Sequence, residues 1–388
     1  MTMSFDRILG RATSVLVLCA SSTLFGARSA HGANPEPPPN RCSKQTTPPP
    51  CVPDKPTRLR KGLSVAGSIF PGIAVHGSGH LIAGQTRTGL ALLGAEGLGV
   101  ALALGGLGGT AVTGATRRFI APMVFGMVTG GALLIIPALA DIYGVLAPEG
   151  GTGSPPVTLP SLESRIGLMY VNDPTFAYQF FVTPGLDVRM GKLRVSTSGY
   201  FALDDANART RAAIAYRFFG PGPRGSEPAK DGSYVDVEFA LTNHDYASNG
   251  FSVTTGEVNL AGRLDLVRVG PTLRGSFAEL GLGLAYAGHR YPGIGIEAND
   301  LLTPRFAFGI YLGHSGYPRG ELAAYYEHRH DGFAGGMKTP GLGSGVIGSF
   351  GVGGRVYTSR RWGVAFDAHG GSAYVGQLSL LFRYGGNP

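Results

Sequence analysis

Apolar and polar residues alternate along run after run of this chain from Leu162 to the C-terminus, and breaks rich in glycine, proline or asparagine separate the runs. In the run from 251 to 266, Val258 and Leu264 have one parity, whereas Glu257 has the other. Successive side chains leave a β-strand on opposite faces. Each run therefore predicts a strand with one apolar face and one polar or ionic face.

About twelve such runs follow one another, and most approach the roughly 9 to 11 residues that a tilted strand needs to cross a bilayer. This periodicity is typical of a transmembrane β-barrel, whose apolar face meets lipid and whose polar face lines the lumen. We therefore predict a mainly β fold. It is an antiparallel transmembrane β-barrel of about 12 strands over residues 162–388, in the outer membrane of a Gram-negative bacterium.

The polar parity defines the side chains expected to face the lumen. These candidates carry both signs of charge, and they are Arg194, Arg209, Arg211, Arg217, Asp236, Glu238, Glu257, Arg263, Asp265, Glu279, Arg305, Arg355, Asp367 and Arg383. Two arrangements stay open. Charges paired across the lumen would close a narrow barrel, whereas unpaired arginines near one wall would favour anions in a channel.

The composition agrees with a membrane protein. Of 388 residues, 63 are glycine and only 15% are charged, and this glycine content is far above the usual share of about 7%. The formal net charge is +8, but the basic residues are spread over many strands and alternate with carboxylates. Because a nucleic-acid site gathers basic residues in one patch, nucleic acid is not a predicted partner.

The N-terminal residues 1–33 have the pattern of a secretory signal peptide. Arg7 and Arg11 precede an uncharged apolar stretch, and the small residues Ala30 and Ala33 suit cleavage. A proline-rich arm, residues 34–61, follows and cannot build a core.

The arm contains two cysteines, Cys42 and Cys51, that lie close together in the sequence. Export takes them to an oxidising compartment. A disulfide that closes a small loop is the simplest pairing of these two residues there.

Residues 62–148 form a hydrophobic region without strand alternation, in which two or three helices are predicted. The segment from Phe119 to Ala140 has no charge over a length that spans a bilayer as a helix. Such a helix normally stops in the inner membrane, so an inner-membrane anchor carrying a periplasmic β-domain stays open as an alternative. Glycine and proline weaken the stretch, which favours marginal helices that pack against each other, the barrel or the periplasmic side of the outer membrane. A linker, residues 149–161, leads to the barrel.

One segment of the helical region resembles a known membrane module. Its sequence is Phe70-Pro71-Gly72 followed by His76, Gly77, Gly79, His80 and Gly84. This segment resembles the Pro-Gly-x-Gly-His/Gln-x-x-x-Gly signature of small helical-hairpin membrane modules in bacteria. The resemblance implies a helical hairpin.

The last strand resembles a known recognition signal. Its residues of one parity are Tyr374, Gly376, Leu378, Leu380, Phe382 and Tyr384. They resemble the C-terminal strand by which the barrel-assembly machinery recognises bacterial outer-membrane proteins. The resemblance implies that machinery as a partner, besides membrane lipid, although a terminal strand of a soluble sandwich would alternate in the same way.

Catalytic chemistry has one candidate, the polar cluster Glu327, His328, His330 and Asp331. The run that begins at His328 resembles the His-x-Ser-Asn-Gly run of barrel deacylases that act on lipid A. His330 and Asp331 stand where serine and asparagine are expected, so the nucleophile is missing at the matching place. We predict that the protein is not an enzyme.

Metal ligation has two candidate pairs, His76 with His80 and His328 with His330. Neither pair has a third ligand at a suitable spacing, so no metal and no cofactor is predicted.

The predicted function is a narrow pore or passive transporter with a mixed-charge, arginine-rich lumen. Two alternatives stay open: a structural or surface barrel without conductance, and a lipid hydrolase that uses the His328 and His330 region. The sequence does not indicate the solute or the oligomeric state.

Overall fold

The structure is a computed structural model that describes residues 58–385 except 115, 117–118, 173–178, 224–225, 227–228, 248–249, 294, 329–347 and 372. The predicted signal peptide and the cysteines Cys42 and Cys51 lie outside the described residues. The same is true of His330 and Asp331. The sequence-based interpretations of these residues stay predictions.

The strands are named in chain order. They are β1 (Thr158–Leu159), β2 (Leu162–Asn172), β3 (Phe180–Val182), β4 (Gly185–Met190), β5 (Leu193–Ala202), β6 (Ala208–Phe219), β7 (Gly222–Pro223), β8 (Tyr234–Asp245), β9 (Ser252–Asp265), β10 (Ser276–Tyr291), β11 (Gly295–Leu302), β12 (Arg305–Leu312), β13 (Arg319–Glu327), β14 (Ser349–Tyr357), β15 (Trp362–Gly370) and β16 (Tyr374–Tyr384).

Two of the barrel strands are interrupted, each at a Thr-Pro step. β3 and β4 together pair with β2 and β5, and Thr183 and Pro184 separate them. β11 and β12 together pair with β10, and Thr303 and Pro304 separate them. Proline has no N–H to donate to the ladder, which accounts for both breaks.

The strands close into one antiparallel barrel. β9 pairs with both β8 and β10, and β16 returns to β2 with Tyr384 opposite Leu162. When each interrupted strand is counted once, the described residues form a closed barrel of 12 strands, which confirms the predicted fold class. We call the end at which β2 begins and β16 ends the linker end, and the opposite end the far end.

Four helices precede the barrel among the described residues: α1 (Arg58–Ile69), α2 (Ser78–Ala83), α3 (Thr86–Thr113) and α4 (Ile120–Leu146). This is more than the two or three expected. α1 also begins inside the predicted arm, which was taken to extend to residue 61, because the last proline of the arm is Pro56 and the chain after it is free to become helical.

α3 and α4 form an antiparallel hairpin held together by small residues. A Cβ on Gly130 would come 2.6 Å from the backbone nitrogen of Ala103, and one on Gly106 would come 2.7 Å from the carbonyl oxygen of Met123. Such close backbone approach is how small residues join membrane helices. Both helices are long and apolar enough to cross a bilayer, with mean hydropathies of 1.8 and 2.1.

The hairpin packs on the outer surface of the barrel rather than standing apart from it. Ala132 of α4 is buried against Phe306 and Tyr326, and the ring centroid of Tyr143 lies 6.2 Å from that of Phe308. Nearer the linker end, Ala140 packs in a cluster that includes a leucine of the β9–β10 connection. The contact between α4 and the strands β10, β12 and β13 therefore replaces lipid on one side of the barrel.

Candidate functional site: the barrel interior

The two faces of each strand have opposite chemistry in the closed barrel. On β8, Phe239 and Leu241 are 55% and 59% exposed, whereas Asp236 of the other parity is 6% exposed. A soluble β-protein would show the reverse, because its apolar face forms the core. The outer surface is therefore apolar, and the ionic side chains turn toward the interior.

The centre of the interior is an ion-pair network around Arg263. Its guanidinium donates to Glu279 at 2.7 Å and to Glu321 at 2.7 Å. Glu279 also binds Arg305 at 3.2 Å, and Glu321 binds Arg355 at 2.8 Å. Each carboxylate is thus shared between two arginines.

Two ion pairs of the interior join strands that are not neighbours in the barrel. Arg263 lies on β9 and Glu321 on β13, and two strands separate them in the barrel. With strands about 4.8 Å apart, their backbones are about 14 Å apart along the wall, so the side chains meet through the interior. Arg355 on β14 likewise reaches Glu163 on β2, at 3.7 Å, past two intervening strands.

A second group of ion pairs lies on β4 to β9. Glu238 accepts from Arg194 and Arg211, and Arg211 also lies 3.6 Å from Glu257. Closer to the linker end, Arg217 makes two hydrogen bonds of 2.7 Å to the Asp236 carboxylate. Bidentate geometry of this kind fixes both side chains in position.

The other lumen-facing candidates make further contacts. The Asp265 carboxylate accepts from the backbone of Gly232 and Val267 in a turn at the linker end. Asp367 accepts from the Tyr325 hydroxyl at 2.7 and 2.9 Å and contacts His369. The guanidiniums of the remaining two stack on tyrosines, Arg383 on Tyr357 at 3.8 Å and Arg209 on Tyr200 at 5.5 Å.

Three carboxylates of the network were missed by the sequence interpretation: Glu163, Asp187 and Glu321. Their parity marks them, since Glu163 alternates with Ile166 and Leu168 in β2 and Glu321 with Leu322 in β13. They matter because they balance the arginines. The described ion pairs of the interior join Arg189, Arg194, Arg211, Arg217, Arg263, Arg305 and Arg355 to an equal set of carboxylates, Glu163, Asp187, Asp236, Glu238, Glu257, Glu279 and Glu321.

The linker lies across the linker end of the barrel. Its residues Thr152 and Ser154 exchange backbone hydrogen bonds with Gly313 in the β12–β13 turn, and β1 then pairs with β7 in the β6–β8 connection. These contacts are four strands apart on the rim. Gly232, in the same β6–β8 connection, packs closely on Tyr311 of β12. A Cβ at this position would come 2.1 Å from the buried Tyr311 hydroxyl, so only glycine fits. The linker therefore crosses one side of the mouth, beside the described part of this connection.

The β6–β8 connection is fixed by an ion pair at its end. Arg268 donates to Asp231 at 2.6 Å, and the Ser233 backbone N–H donates to the same carboxylate at 2.8 Å. Burial raises the pKa of Asp231, but these hydrogen bonds outweigh burial and hold that pKa below its ordinary value.

Of the two histidine pairs, both members are described only for His76 and His80, and each of these residues contacts a carboxylate. The ring Nδ1 of His80 hydrogen-bonds the Asp141 carboxylate, and the backbone N–H of His76 donates to Glu96 at 2.8 Å. Within the described residues no group of three or more metal-ligating side chains comes together.

Of the polar cluster, only Glu327 and His328 are described. The His328 Nδ1 lies 2.9 Å from the hydroxyl of Tyr326, which packs on the outer side of the barrel. The hydrolase alternative depends on residues that are not described, and it stays a prediction.

Comparison with known proteins gives only distant similarities. No family model and no curated protein sequence matches this chain. The outer membrane protein Omp33 of Acinetobacter baumannii is similar at 11% identity over 58% of this chain and 98% of that chain, with a TM-score of 0.31. The translocator domain of the autotransporter NalP from Neisseria meningitidis is similar at 10% identity over 58% of this chain and 89% of that chain, with a TM-score of 0.32.

The chain's own strand pairing and burial define its class. In a bilayer every backbone polar group needs an internal partner, which only helices and closed barrels provide. A closed antiparallel barrel with an apolar outer surface and an ionic interior is the architecture of outer-membrane proteins. The protein is therefore an integral β-barrel protein of the bacterial outer membrane. The alternative of a soluble periplasmic β-domain on an inner-membrane anchor is not supported, since that domain would bury its apolar face.

Proposed function

We propose that the protein is a narrow pore of the outer membrane, closed in the arrangement described above. The observation that carries this proposal is the bridge from Arg263 to Glu321 across the interior. Eight strands make a barrel that side chains just fill, and about sixteen leave an open aqueous channel. A barrel of 12 strands lies between these cases, so whether it conducts depends on what its side chains do.

The charged interior favours a route for polar solutes over a purely structural core. Charges taken out of water cost several kcal/mol each, and a well-packed apolar filling of similar volume is often as stable or more stable. The interior of this barrel is nevertheless charged, and its ion pairs join different strands of the wall through a small number of side chains. Loss of the bridges between strands that are not neighbours would leave a wider polar passage.

The balance of charges sets the expected selectivity. Because arginines and carboxylates are equal in number in the described interior pairs, neither ion sign has a general advantage. We expect weak discrimination between anions and cations rather than a strong anion preference.

A structural barrel without conductance is the second candidate. The linker across the mouth favours it, since Gly313 and β7 hold that segment by backbone hydrogen bonds. The assembly machinery and membrane lipid remain the predicted partners in either case.

Single-channel recording in planar bilayers separates the two candidates. The test variant is the double substitution Arg263→Ala/Glu321→Ala, which removes the bridge while Arg305 keeps Glu279 and Arg355 keeps Glu163. We expect rare, small conductance steps from the wild type and larger, more frequent steps from this variant.

The control is Arg290→Ala/Glu297→Ala, which removes one arginine and one glutamate from the exposed β10–β11 hairpin. It should behave as the wild type does. Heat-modifiable migration on gels shows that each sample is folded. If the folded double variant conducts no more than the wild type and neither shows steps, the pore proposal is wrong and the structural alternative stands.

A further inference from the structure

The segment from α1 to α2 has its polar and apolar residues arranged inside out. Ser64 and Ser68 of α1 are buried against the rest of the helical region, at 3% and 1% exposure. Phe70 and Ile73, in the turn that follows, are 87% and 70% exposed, and Leu63 is also exposed. In water this arrangement is unfavourable because it exposes apolar side chains, whereas in lipid it is favourable.

The turn between α1 and α2 reaches well along the membrane helices. The backbone N–H of His76 donates to the Glu96 carboxylate at 2.8 Å. Glu96 lies ten residues after Thr86, the first residue of α3, which corresponds to about 15 Å along the helix axis. α3 itself begins at the linker end, beside Gly270 in the β9–β10 connection. The chain therefore rises from the linker end through α1, turns, and returns through α2 to the same end.

Two carboxylates satisfy the backbone of this turn. Asp141 of α4 accepts from the N–H groups of Gly77 and Gly79, both at 3.1 Å, and from the backbone and ring of His80. Glu96 of α3 accepts from the backbone N–H of His76. Irregular backbone at membrane depth is tolerated only where protein groups satisfy it. This gives a reason for an acid in each of two otherwise apolar helices, where acids are costly.

Basic residues lie where the segment leaves the apolar zone. Lys61 near the start of α1 and Arg87 near the start of α3 are exposed, and Arg60 donates to the carbonyl of Ile82 at 3.1 Å across the base of the segment. Lysine and arginine at such positions extend their heads to the membrane interface, where phosphate groups lie.

We propose that residues 60–84 form a re-entrant hairpin inserted into the phospholipid leaflet at the linker end of the barrel. Phe70 and Ile73 lie among the acyl chains, and Lys61 and Arg87 bind the headgroups of anionic phospholipids. The exposed apolar surface of the turn continues that of α3 and α4, so one lipid phase covers all three. The inference depends on the membrane barrel and is independent of whether the barrel conducts.

Depth-dependent fluorescence quenching tests the insertion. The single tryptophan of the chain is first removed by the substitution Trp362→Phe. One tryptophan is then introduced as Phe70→Trp or Ile73→Trp. The purified full chain is reconstituted in phosphatidylcholine and phosphatidylglycerol vesicles whose acyl chains carry bromine. We expect loss of most of the fluorescence to brominated chains and little loss to aqueous iodide.

The matched control is Asp204→Trp, in the exposed β5–β6 connection at the far end. Iodide should quench it and brominated chains should not. Two introduced positions guard against a variant that does not fold, and heat-modifiability checks each sample. If the tryptophans at both 70 and 73 behave as the control does, the turn lies in water and the hairpin proposal is overturned.

A second comparison tests the headgroup contact. Bromine is placed on the phosphatidylglycerol alone or on the phosphatidylcholine alone, at equal fractions of the two lipids. Stronger quenching of the tryptophan at position 70 by brominated phosphatidylglycerol, lost in Lys61→Gln/Arg87→Gln, supports selective binding of anionic lipid. Equal quenching by both lipids before the basic residues are changed contradicts it.

Discussion

Replacing Glu321 by glutamine tests the ion-pair network most directly, because this carboxylate of β13 joins Arg263 on β9 to Arg355 on the neighbouring strand β14. Glutamine keeps the shape of the side chain and removes its charge. Both arginines then lose a charged partner, although Arg263 keeps Glu279 and Arg355 keeps Glu163 at 3.7 Å.

The expected loss of stability is about 2 to 3 kcal/mol. Removing one partner of a buried ion pair costs about 3 to 5 kcal/mol, and the side chains of Arg263 and Glu321 are only 10% and 15% exposed. The expected loss lies below that range because the remaining partners compensate in part and because Arg355, at 32% exposure, is screened by water.

Urea unfolding of the protein in lipid vesicles measures this free energy. The substitution Glu297→Gln removes a carboxylate from the exposed strand β11 and serves as the control, with an expected change below about 0.5 kcal/mol. A double-mutant cycle with Arg355→Gln should give a coupling of about 1 to 2 kcal/mol between the two sites. If Glu321→Gln changes stability no more than the control does, the network described above does not hold the barrel together.

The remaining predictions concern the helices and the rim. Gly130→Val should separate α3 from α4 and destabilise the hairpin by about 1 to 3 kcal/mol, measured by thermal unfolding. Gly131→Val should not, since a Cβ at Gly131 meets open space. Asp141→Asn should cost about 1 to 3 kcal/mol, because a buried charge that accepts several N–H groups is lost; protease resistance of the helical region reports it, and unchanged resistance would argue against that role. The pKa of Asp231 is lowered, so its pairing with Arg268 stabilises the fold above the ordinary value of 3.8 and is lost as the pH falls below it. Wild type and Asp231→Asn should differ by less than about 1 kcal/mol at neutral pH, since Arg268 is half exposed, and should converge near pH 2.

The strand pattern by itself determined the class of fold. Alternation is a local property, because neighbouring side chains of a strand point to opposite faces whatever the strand pairs with. The faces of Glu238 and Phe239 were therefore readable from the sequence, and so was the number of strands. The same parity also marks Glu163 and Glu321.

The helical region was harder to interpret because its signals are not periodic. Hydropathy predicted membrane-spanning helices, and glycines indicated close packing, but neither property specifies a partner. Only the folded chain shows that α4 packs on Phe306 and Tyr326 of the barrel wall, residues that a strand pattern assigns to lipid. The sequence pairs His76 with His80 but specifies no partner for either, and only the folded chain brings His80 to Asp141, sixty-one residues away.

Tertiary structure alone decided which charges meet. Arg263 and Glu321 are 58 residues apart, and their contact depends on how many strands lie between them and on where the barrel closes. The position of the linker over the mouth has the same origin, since Gly313 and β7 approach it only after closure. Local alternation fixes which way a side chain faces, but the distance across a lumen is a property of the closed ring, and no segment of the sequence contains it.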